Sequence, residues 1–332
     1  MTPLAPHLTA FLRDRLPKER CASLHTCDAY AYAFQLLLSF AAKRLRTRPS
    51  AMAVEQLDTS LVLAFLEEIE SKRGNCARTR NARLAAIRSF ARFIAYRVPS
   101  AAQQVESLLS IPTKKTDERL VAYLNRDEMQ TLLDAPDPHL HSGIRDRAML
   151  HLAFAAGLRV SELVGLRTDE LVLHPQPVVH VRGKGRRERV LPLWKSTTTA
   201  LRAWLAVRGE AACLELFLNA RGGPLSRDGF KHILSKHVAT AVRKAPSLAR
   251  KRVSPHVLRH SCAMQTLEAT QDVRKVALWL GHASVQSTEI YLRADPSAKL
   301  EAINGMLPPN LRRGRFRAPD KLLASLRPPR TR

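Results

Sequence analysis

A ten-residue segment in the first half of the chain carries no pattern of a helix or a strand. Residues 111–120, Ile-Pro-Thr-Lys-Lys-Thr-Asp-Glu-Arg-Leu, are mostly polar or charged and show no apolar periodicity. Because hydrophobic periodicity is the main sequence signal for helices and strands, we predict that this segment is a linker between two domains. The length of 332 residues agrees with two domains. The predicted division is a helical domain at 1–110, the linker at 111–120, a second domain at 121–307, and a basic, disordered tail at 308–332.

The charge of the chain points to a polyanionic partner. Lysine and arginine number 54 against 29 aspartates and glutamates, a formal net charge of +25. Nucleic acid is the commonest polyanion that such a surface attracts, with a merely basic, ribosomal-type protein as the alternative. The hydrophobic content of 45% is too high for a disordered polyelectrolyte. Because the sequence has no apolar run of about 18 residues and no apolar signal segment at its start, we expect a cytoplasmic protein that joins the nucleoid when bound to DNA.

The cysteines do not suggest a structural framework. They stand at positions 21, 27, 76, 213 and 262, and no two of them form a Cys-x-x-Cys pair. Since the count is odd and the spacing is irregular, neither a disulfide framework nor a zinc module is expected. Reduced thiols are the default for such a chain inside the cell.

Residues 1–110 carry only helical patterns. Apolar residues recur at i, i+3 and i+4 in stretches around 29–41, 61–69 and 82–93. Between positions 78 and 97, six arginines and no acidic residue fill the remaining positions. We therefore predict a helical bundle with an arginine-rich face that contacts phosphates, a solvated surface being the alternative. The arginines assigned to DNA binding on this face are Arg78, Arg80, Arg83 and Arg88.

The second domain is predicted to consist of helices around one β-hairpin. Residues 177–182 and 188–193 are β-like and flank the sequence Gly-Lys-Gly-Arg-Arg at 183–187, which would form a basic tip. The predicted fold class is therefore mainly α with a small β-hairpin or sheet. Helical patterns cover 145–156 (ended by Gly157), a segment beginning near Ser161, 196–208, 226–243, 255–269, 272–280, 284–292 with Ser284 as N-cap, and 296–306.

Four segments of the second domain carry the candidate chemistry. They are Gly-Leu-Arg-Val-Ser-Glu-Leu at 157–163, Gly-Lys-Gly at 183–185, His-Val-Leu-Arg-His at 256–260, and a stretch from Leu280-Gly-His to Tyr291. Together they supply two arginines, a lysine, three histidines and one tyrosine. There is no Ser-His-Asp order, no pair of carboxylates for acid–base work and no glycine-rich nucleotide loop. A cation-rich set with one nucleophile suits chemistry on a phosphodiester, where negative charge grows in the transition state.

These segments strongly resemble the motifs of the tyrosine recombinases, also called the phage integrase family. Residues 153–162 resemble the first arginine motif, A-x-x-T-G-x-R-[VI]-S-E, except that Ala156 stands where threonine is usual. The lysine at 184 resembles the hairpin lysine, residues 256–263 resemble H-x-L-R-H-x-x-A, and residues 280–291 resemble L-G-H-x-S-x-x-x-T-x-x-Y. The resemblance covers about 120–307, whereas the N-terminal bundle agrees with the family's core-binding domain in size and place only.

The resemblance implies a role for each motif residue. Tyr291 would attack the scissile phosphate and form a 3′-phosphotyrosyl link. Arg159 and Arg259 would hold the non-bridging oxygens, and Lys184 would protonate the leaving 5′-oxygen. His256 and His282 would donate hydrogen bonds to the phosphate, and His256 would also accept the tyrosine proton. His260 would have a supporting role, and Glu162 would orient a neighbouring histidine or arginine. The positive charges of Arg186 and Arg187 at the predicted tip assign these two residues to DNA contacts.

The family resemblance further implies what the chain works with. No metal, nucleotide or other cofactor is needed, because the phosphotyrosine keeps the energy of the broken bond. The implied partner is double-stranded DNA at specific recombination sites, bound by a tetramer on two duplexes, with 296–307 resembling a helix that docks into a neighbouring subunit. Integration of a plasmid or other mobile element and resolution of chromosome dimers are both open as settings.

Several alternatives compete with these roles. Arg159 could form a helix-end salt bridge with Glu162, Tyr291 could be a packed side chain, and Lys184 could grip phosphates without acting as an acid. His256 and His260 have zinc-ligand spacing, but Val257 stands where a metalloprotease has its glutamate. For the whole chain, the alternatives are a type IB topoisomerase and a DNA-binding accessory protein that does not cut.

Overall fold

The computed structural model of the protein describes residues 1–117, 120–183, 188–209, 213–282 and 284–294. The chain separates into two compact units, Met1–Glu118 and Arg119–Arg332. The predicted fold class is confirmed: the described residues are mainly helical, with one small antiparallel sheet. No helix in these ranges has the length and hydropathy that crossing a membrane requires.

The first unit is a helical bundle, as its apolar periodicity predicts. Ser23 and Asp58 cap two of the helices, because their side-chain oxygens accept from the backbone N–H groups of Thr26 and Leu61. Phe11 lies at the centre of the core, edge-on to two further phenylalanines. The helices are α1 (Leu4–Ala10), continued by a π-helical segment (Phe11–Glu19), α2 (Leu24–Leu45), α3 (Thr59–Ser71), α4 (Ala77–Ala95) and α5 (Ala102–Ser110), with 3-10 turns at Pro49–Ala51, Val54–Gln56 and Pro99–Ala101.

The start of the segment predicted as a linker is held against α4. The Arg80 guanidinium donates to the Pro112 carbonyl at 2.9 Å, and the Arg88 guanidinium donates to the Ile111 carbonyl. The Asn81 side chain pairs with both the backbone N–H and the carbonyl of Lys114, at 3.0 and 2.7 Å. Residues 111–114 are therefore part of the first unit, because side chains of α4 satisfy their backbone groups.

The second unit places its helices around a three-stranded sheet. Strands β1 (Leu171–Val172), β2 (Val178–Arg182) and β3 (Glu188–Pro192) pair antiparallel in that order. The β2–β3 ladder runs from Val178–Pro192 to Arg182–Glu188, which agrees with the predicted hairpin. The helices are α6 (Arg126–Leu133), α7 (His141–Ala155), α8 (Val160–Val164), α9 (Lys195–Arg208), α10 (Arg227–Val242), α11 (Pro255–Thr270), α12 (Val273–Leu280) and α13 (Glu289–Ala294), with 3-10 turns at Thr168–Glu170, Pro246–Arg250 and Val285–Ser287.

Helix α7 lies at the centre of this unit, packed against α9 and α11. Most residues of α7 are buried, and some of them are polar, including Asp146 at 1% exposure. The Asp146 carboxylate accepts from Arg145 at 2.7 Å and lies 2.8 Å from Nε2 of His237 on α10. These contacts compensate the cost of burying the carboxylate.

The last described helix differs from its prediction. A single helix over 284–292 was expected, but the segment forms a 3-10 turn, Val285–Ser287, followed by the separate helix α13. Ser284 does cap the turn, since its hydroxyl accepts from the Gln286 N–H at 3.2 Å. The break falls at Thr288, which is fully buried and contacts His282. The predictions for Lys184, Arg186, Arg187, the 296–306 helix and the 308–332 tail lie outside the described residues.

Candidate active site

Three arginines from different segments converge on the carboxylate of Glu162. The residue lies in the first turn of α8, where its side chain also accepts from the Arg159 backbone N–H at 3.0 Å. Arg159 Nη1 donates to Oε1 at 2.7 Å and Arg189 Nη2 donates to Oε2 at 2.8 Å. Arg259 Nη1 is 4.0 Å from Oε2. One carboxylate among three guanidinium groups leaves this part of the site with an excess of positive charge.

Arg259 holds two of the sequence motifs together. Its guanidinium is only 4% exposed and donates to the Gly157 carbonyl at 2.5 Å and to the Leu280 carbonyl at 2.8 Å. Gly157 has a φ of +54°, and a Cβ added there would lie 2.6 Å from a methyl group of Leu280. The glycine that ends α7 is therefore required by both its backbone conformation and its packing.

The nucleophile predicted from the sequence, Tyr291, lies in a small core next to this cluster. Its side chain is 1% exposed and packs with apolar residues of α11 and α12. Its hydroxyl is 2.9 Å from Nδ1 of His260, and the His282 ring stacks on its ring with centroids 6.5 Å apart. Nδ1 of His282 is 2.8 Å from the Thr288 hydroxyl.

His256 does not contact the tyrosine. It is exposed at the start of α11, and its ring centroid lies 6.4 Å from that of His260. The histidine at hydrogen-bond distance from the Tyr291 hydroxyl is therefore His260, whereas the sequence assigned the tyrosine proton to His256. The two histidines lie on the same face of α11, one turn apart, and the later one is level with Tyr291 on α13.

Burial and the arginines together set the protonation of the site. Burial alone would raise the pKa of Glu162, but hydrogen bonds from Arg189 and Arg159 outweigh it and keep the pKa below its usual value. Burial lowers the pKa of His260 and of His282 to about 4, with neighbouring positive charges acting in the same direction. Burial raises the pKa of Tyr291 to about 12, which Arg259 partly offsets. At neutral pH the site therefore holds neutral imidazoles, a neutral phenol and an ionised glutamate.

The structure brings most of the predicted residues of this unit together. Arg159, Glu162 and Arg259 form one group, while His260, His282 and Tyr291 form the adjoining one. The salt bridge between Arg159 and Glu162, considered as an alternative to a phosphate role, is present, yet Arg159 keeps 34% of its side chain exposed. The arrangement can bind an anion at the arginines, beside a buried phenol that is hydrogen-bonded to an imidazole.

Two residues of this site were not singled out from the sequence. Arg189 on β3 is one of them, and it shares the inward side of the strand with buried Leu191. A charged residue at an inward position of an alternating strand was the available signal. Thr288, which positions His282, is the other; it lies within the last motif and is fully buried.

The predicted arginine face of α4 is only partly exposed. Arg78 is exposed, whereas Arg83 and Arg88 are half-buried and donate to the Ala29 and Ile111 carbonyls. Arg80, also assigned to DNA binding, is 5% exposed and donates to the Pro112 carbonyl. The backbone of residues 111–114 covers this part of the helix, and no periodicity argument could show that.

The two kinds of arginine on α4 should respond differently to truncation. Arg78→Ala should lower the slope of log Kd against log salt by about one unit, because a phosphate contact releases about one counterion. Arg80→Ala should leave the Pro112 carbonyl without its partner and reduce the free energy of unfolding by about 1–3 kcal/mol. Anisotropy titrations and thermal unfolding test both, with the exposed Arg13→Ala as a charge-matched control. An unchanged slope for Arg78→Ala would remove that residue from the DNA interface.

Comparisons with known proteins agree on one family. Residues 122–298 match the phage integrase family, and residues 8–97 match the phage integrase N-terminal SAM-like domain. The chain is 44% identical to the integrase/recombinase y4rC of Sinorhizobium fredii over 325 residues, covering 97% of both chains. It is 34% identical to the tyrosine recombinase XerC of Pelobacter propionicus over 292 residues, covering 88% of this chain and 91% of that one.

A solved structure shares the fold at low sequence identity. The XerH site-specific recombinase bound to a palindromic difH substrate superposes with a TM-score of 0.65 at 21% identity, covering 90% of this chain and 84% of XerH.

Proposed function

The chain belongs to the phage integrase family of tyrosine recombinases, and from that premise we propose how its residues cut and rejoin DNA. It is a site-specific DNA recombinase or integrase, a DNA strand transferase. The observation that carries the proposal is the contact between Tyr291 and His260 beside a cluster of arginines from three different segments. Neither the topoisomerase nor the accessory-protein alternative gains support from the relatives.

The scissile phosphate is proposed to bind at the arginine cluster. Arg159 offers its exposed guanidinium to the non-bridging oxygens, whereas buried Arg259 contributes from beneath through N–H groups that do not face the two carbonyls. A guanidinium fork matches phosphate geometry, and fixed charges stabilise the pentavalent state without reorganising. His256, exposed at the start of α11, and His282 are proposed to add hydrogen bonds to the same oxygens.

Covalent chemistry is assigned to Tyr291. Its phenolic oxygen bonds to phosphorus while the bond from phosphorus to the 5′-oxygen breaks, which gives a 3′-phosphotyrosyl link and a 5′-hydroxyl. The leaving oxygen takes a proton from Lys184. In the reverse direction a 5′-hydroxyl, from the same or another strand, attacks the phosphotyrosine and releases the tyrosine. Exchange of the attacking strand turns resealing into recombination.

The phenol proton is assigned to His260. A neutral imidazole 2.9 Å from the hydroxyl can accept the proton as the phenol is activated, and the lowered pKa of His260 keeps the imidazole neutral at pH 7. Because Tyr291 is 1% exposed, its hydroxyl has to leave the small core before it reaches a phosphate. DNA binding is therefore proposed to uncover the nucleophile.

Truncating the base should change the pH dependence of cleavage. With His260→Asn, adduct formation should slow on the order of 10²-fold and then rise ~tenfold per pH unit above neutrality, because solvent must remove the proton below the pKa of the phenol. His256→Asn should reduce the rate but keep the wild-type pH profile. Single-turnover adduct formation between pH 6 and about 9 distinguishes the two. If the profile steepens for His256→Asn instead, the proton acceptor is His256.

Double-stranded DNA at specific sites is the proposed substrate, bound by a tetramer on two duplexes. XerH is known bound to a difH substrate, and lambda integrase is known as a tetramer on a Holliday junction. The surplus of 25 positive charges in this chain supports DNA binding. The site can be identified by incubating chromosomal DNA with the protein and denaturing the mixture. The DNA that stays covalently attached to the protein is then sequenced. Relaxation of a plasmid lacking that site would favour a topoisomerase, and absence of any covalent complex would overturn the proposal.

A further inference from the structure

Arg189 is a buried member of the arginine cluster and reaches the same carboxylate as Arg159. Its side chain is 10% exposed, against 34% for Arg159, so it lies on the inner side of Glu162. Nη2 donates to Oε2 at 2.8 Å and Nη1 donates to Oε1 at 3.4 Å. A two-point contact of this kind fixes the orientation of a carboxylate as well as its position.

Arg159 and Arg189 share the two oxygens of Glu162 unequally. Arg189 reaches both oxygens, and the described contact of the Arg159 guanidinium is Nη1 on Oε1. Without Arg189, Glu162 could turn and accept both edges of the Arg159 guanidinium. In that arrangement Glu162 would occupy the N–H donors of Arg159 that the proposed function assigns to the phosphate.

Three motifs meet at Arg189. Glu162 comes from the first motif, and β3, which carries Arg189, begins at Glu188, directly after the predicted basic tip. The third contributor is Gly281 of the Leu-Gly-His sequence, because a Cβ added there would lie 3.1 Å from both Cδ and Nη1 of Arg189. A side chain at 281 would therefore press on the guanidinium that holds Glu162.

We propose that Arg189 is a positioning residue for strand cleavage, which fixes Glu162 so that Arg159 presents its outer donors to the scissile phosphate. This inference rests on the proposed function and adds a residue to it. Arg189 acts through Glu162 and Arg159 rather than by contacting DNA. Its loss should therefore affect the chemical step and leave DNA affinity nearly unchanged.

The test measures single-turnover adduct formation on a nicked duplex bearing the site recovered from the covalent complexes. Arg189→Met should slow the reaction on the order of 10²-fold, the cost of misplacing a catalytic group by about 1 Å. Kd on a native gel should stay within about threefold of wild type, since the buried side chain makes no phosphate contact. Arg182→Met is the matched control, because Arg182 lies on the same sheet, is 70% exposed and pairs with Glu170 and Glu188. It should react like wild type.

Two further readouts separate positioning from loss of structure. A methylphosphonate at the scissile position removes the charge that Arg159 neutralises, so Arg189→Met should lose much less rate on it than on phosphate. In a Glu162→Gln background, Arg189→Met should cause little additional loss, because both changes remove the same contact. Arg189→Lys keeps the charge without the two-point contact and should recover part of the rate, so it also serves if the methionine variant fails to fold.

The outcomes are distinct. Equal losses on phosphate and methylphosphonate, additive effects with Glu162→Gln, or full activity of the Arg189 variants would overturn the positioning role. If wild-type protein forms no adduct at all, the proposed function fails, and this inference with it. If wild-type protein forms the adduct and the Arg189 variants form it equally fast, the positioning role of Arg189 is refuted and the proposed function stands.

Discussion

Replacing Tyr291 with phenylalanine should abolish covalent attachment of the protein to DNA while leaving the fold and DNA affinity intact. The substitution removes one oxygen and keeps the ring that fills the small core of the second unit. The lost contact with His260 should cost about 0.5–1.5 kcal/mol of stability, the usual net contribution of one hydrogen bond. On a nicked duplex that prevents religation, wild type should give a slow band on a denaturing gel and Tyr291→Phe none, although both shift DNA on a native gel.

The control for this experiment comes from the same unit. Tyr123→Phe changes a tyrosine that packs against the same small core, and it should form the adduct at the wild-type rate. An adduct formed by Tyr291→Phe would refute the assignment. The tyrosines at 30, 32, 96 and 123 would then be the candidates.

Replacing Lys184 with alanine should slow cleavage of an ordinary phosphodiester by about 10²–10⁴-fold, the range for losing a general acid. The motivation is the match of Lys184 to the family's hairpin lysine and the observed β2–β3 ladder, which closes at Arg182–Glu188 on either side of it. On a substrate with sulfur at the 5′-bridging position, the loss should be far smaller, because a thiolate leaves without a proton.

Comparing both substrates separates the two roles considered for this lysine. If Lys184 only grips phosphates, its loss should weaken DNA binding and slow both substrates equally. Arg186→Ala and Arg187→Ala, which remove neighbouring positive charges, serve as controls and should affect binding without any rescue by sulfur. If Lys184→Ala slows cleavage of both substrates equally, Lys184 is not the general acid.

Most long helices and the hairpin follow from the sequence, whereas the shortest elements do not. The helical periods and the β alternation placed α3, α9, α10, α11, α12 and the hairpin close to their observed bounds. The apolar stretches at 29–41 and 82–93 lie within α2 and α4, which both extend further at each end. Periodicity could not separate the turn at Val285–Ser287 from α13, because both lie in one run with a helical pattern. The two-residue β1 was also missed, since a strand that short has no alternation to detect.

At the candidate site, the sequence indicated the residues but not all of their contacts. The motifs singled out Arg159, Glu162, Arg259, His260, His282 and Tyr291, and the structure brings these residues together in two adjoining groups. They did not show that His260 rather than His256 contacts the tyrosine, or that Arg189 completes the arginine cluster. Contacts between segments far apart in the chain depend on packing, which spacing does not contain.

By itself, the sequence determined the fold class, the family and the residue types available for attacking a phosphodiester, because periodicity, charge and motif spacing are local properties of the chain. Only the tertiary structure decided which arginines remain accessible. Arg80 is buried and donates to the Pro112 carbonyl, and Arg259 gives one N–H of each Nη to the carbonyls of Gly157 and Leu280. Arg159 and Arg78 keep an exposed side chain. The physical reason is that buried backbone carbonyls must be paired, and the nearest donor is selected by the fold.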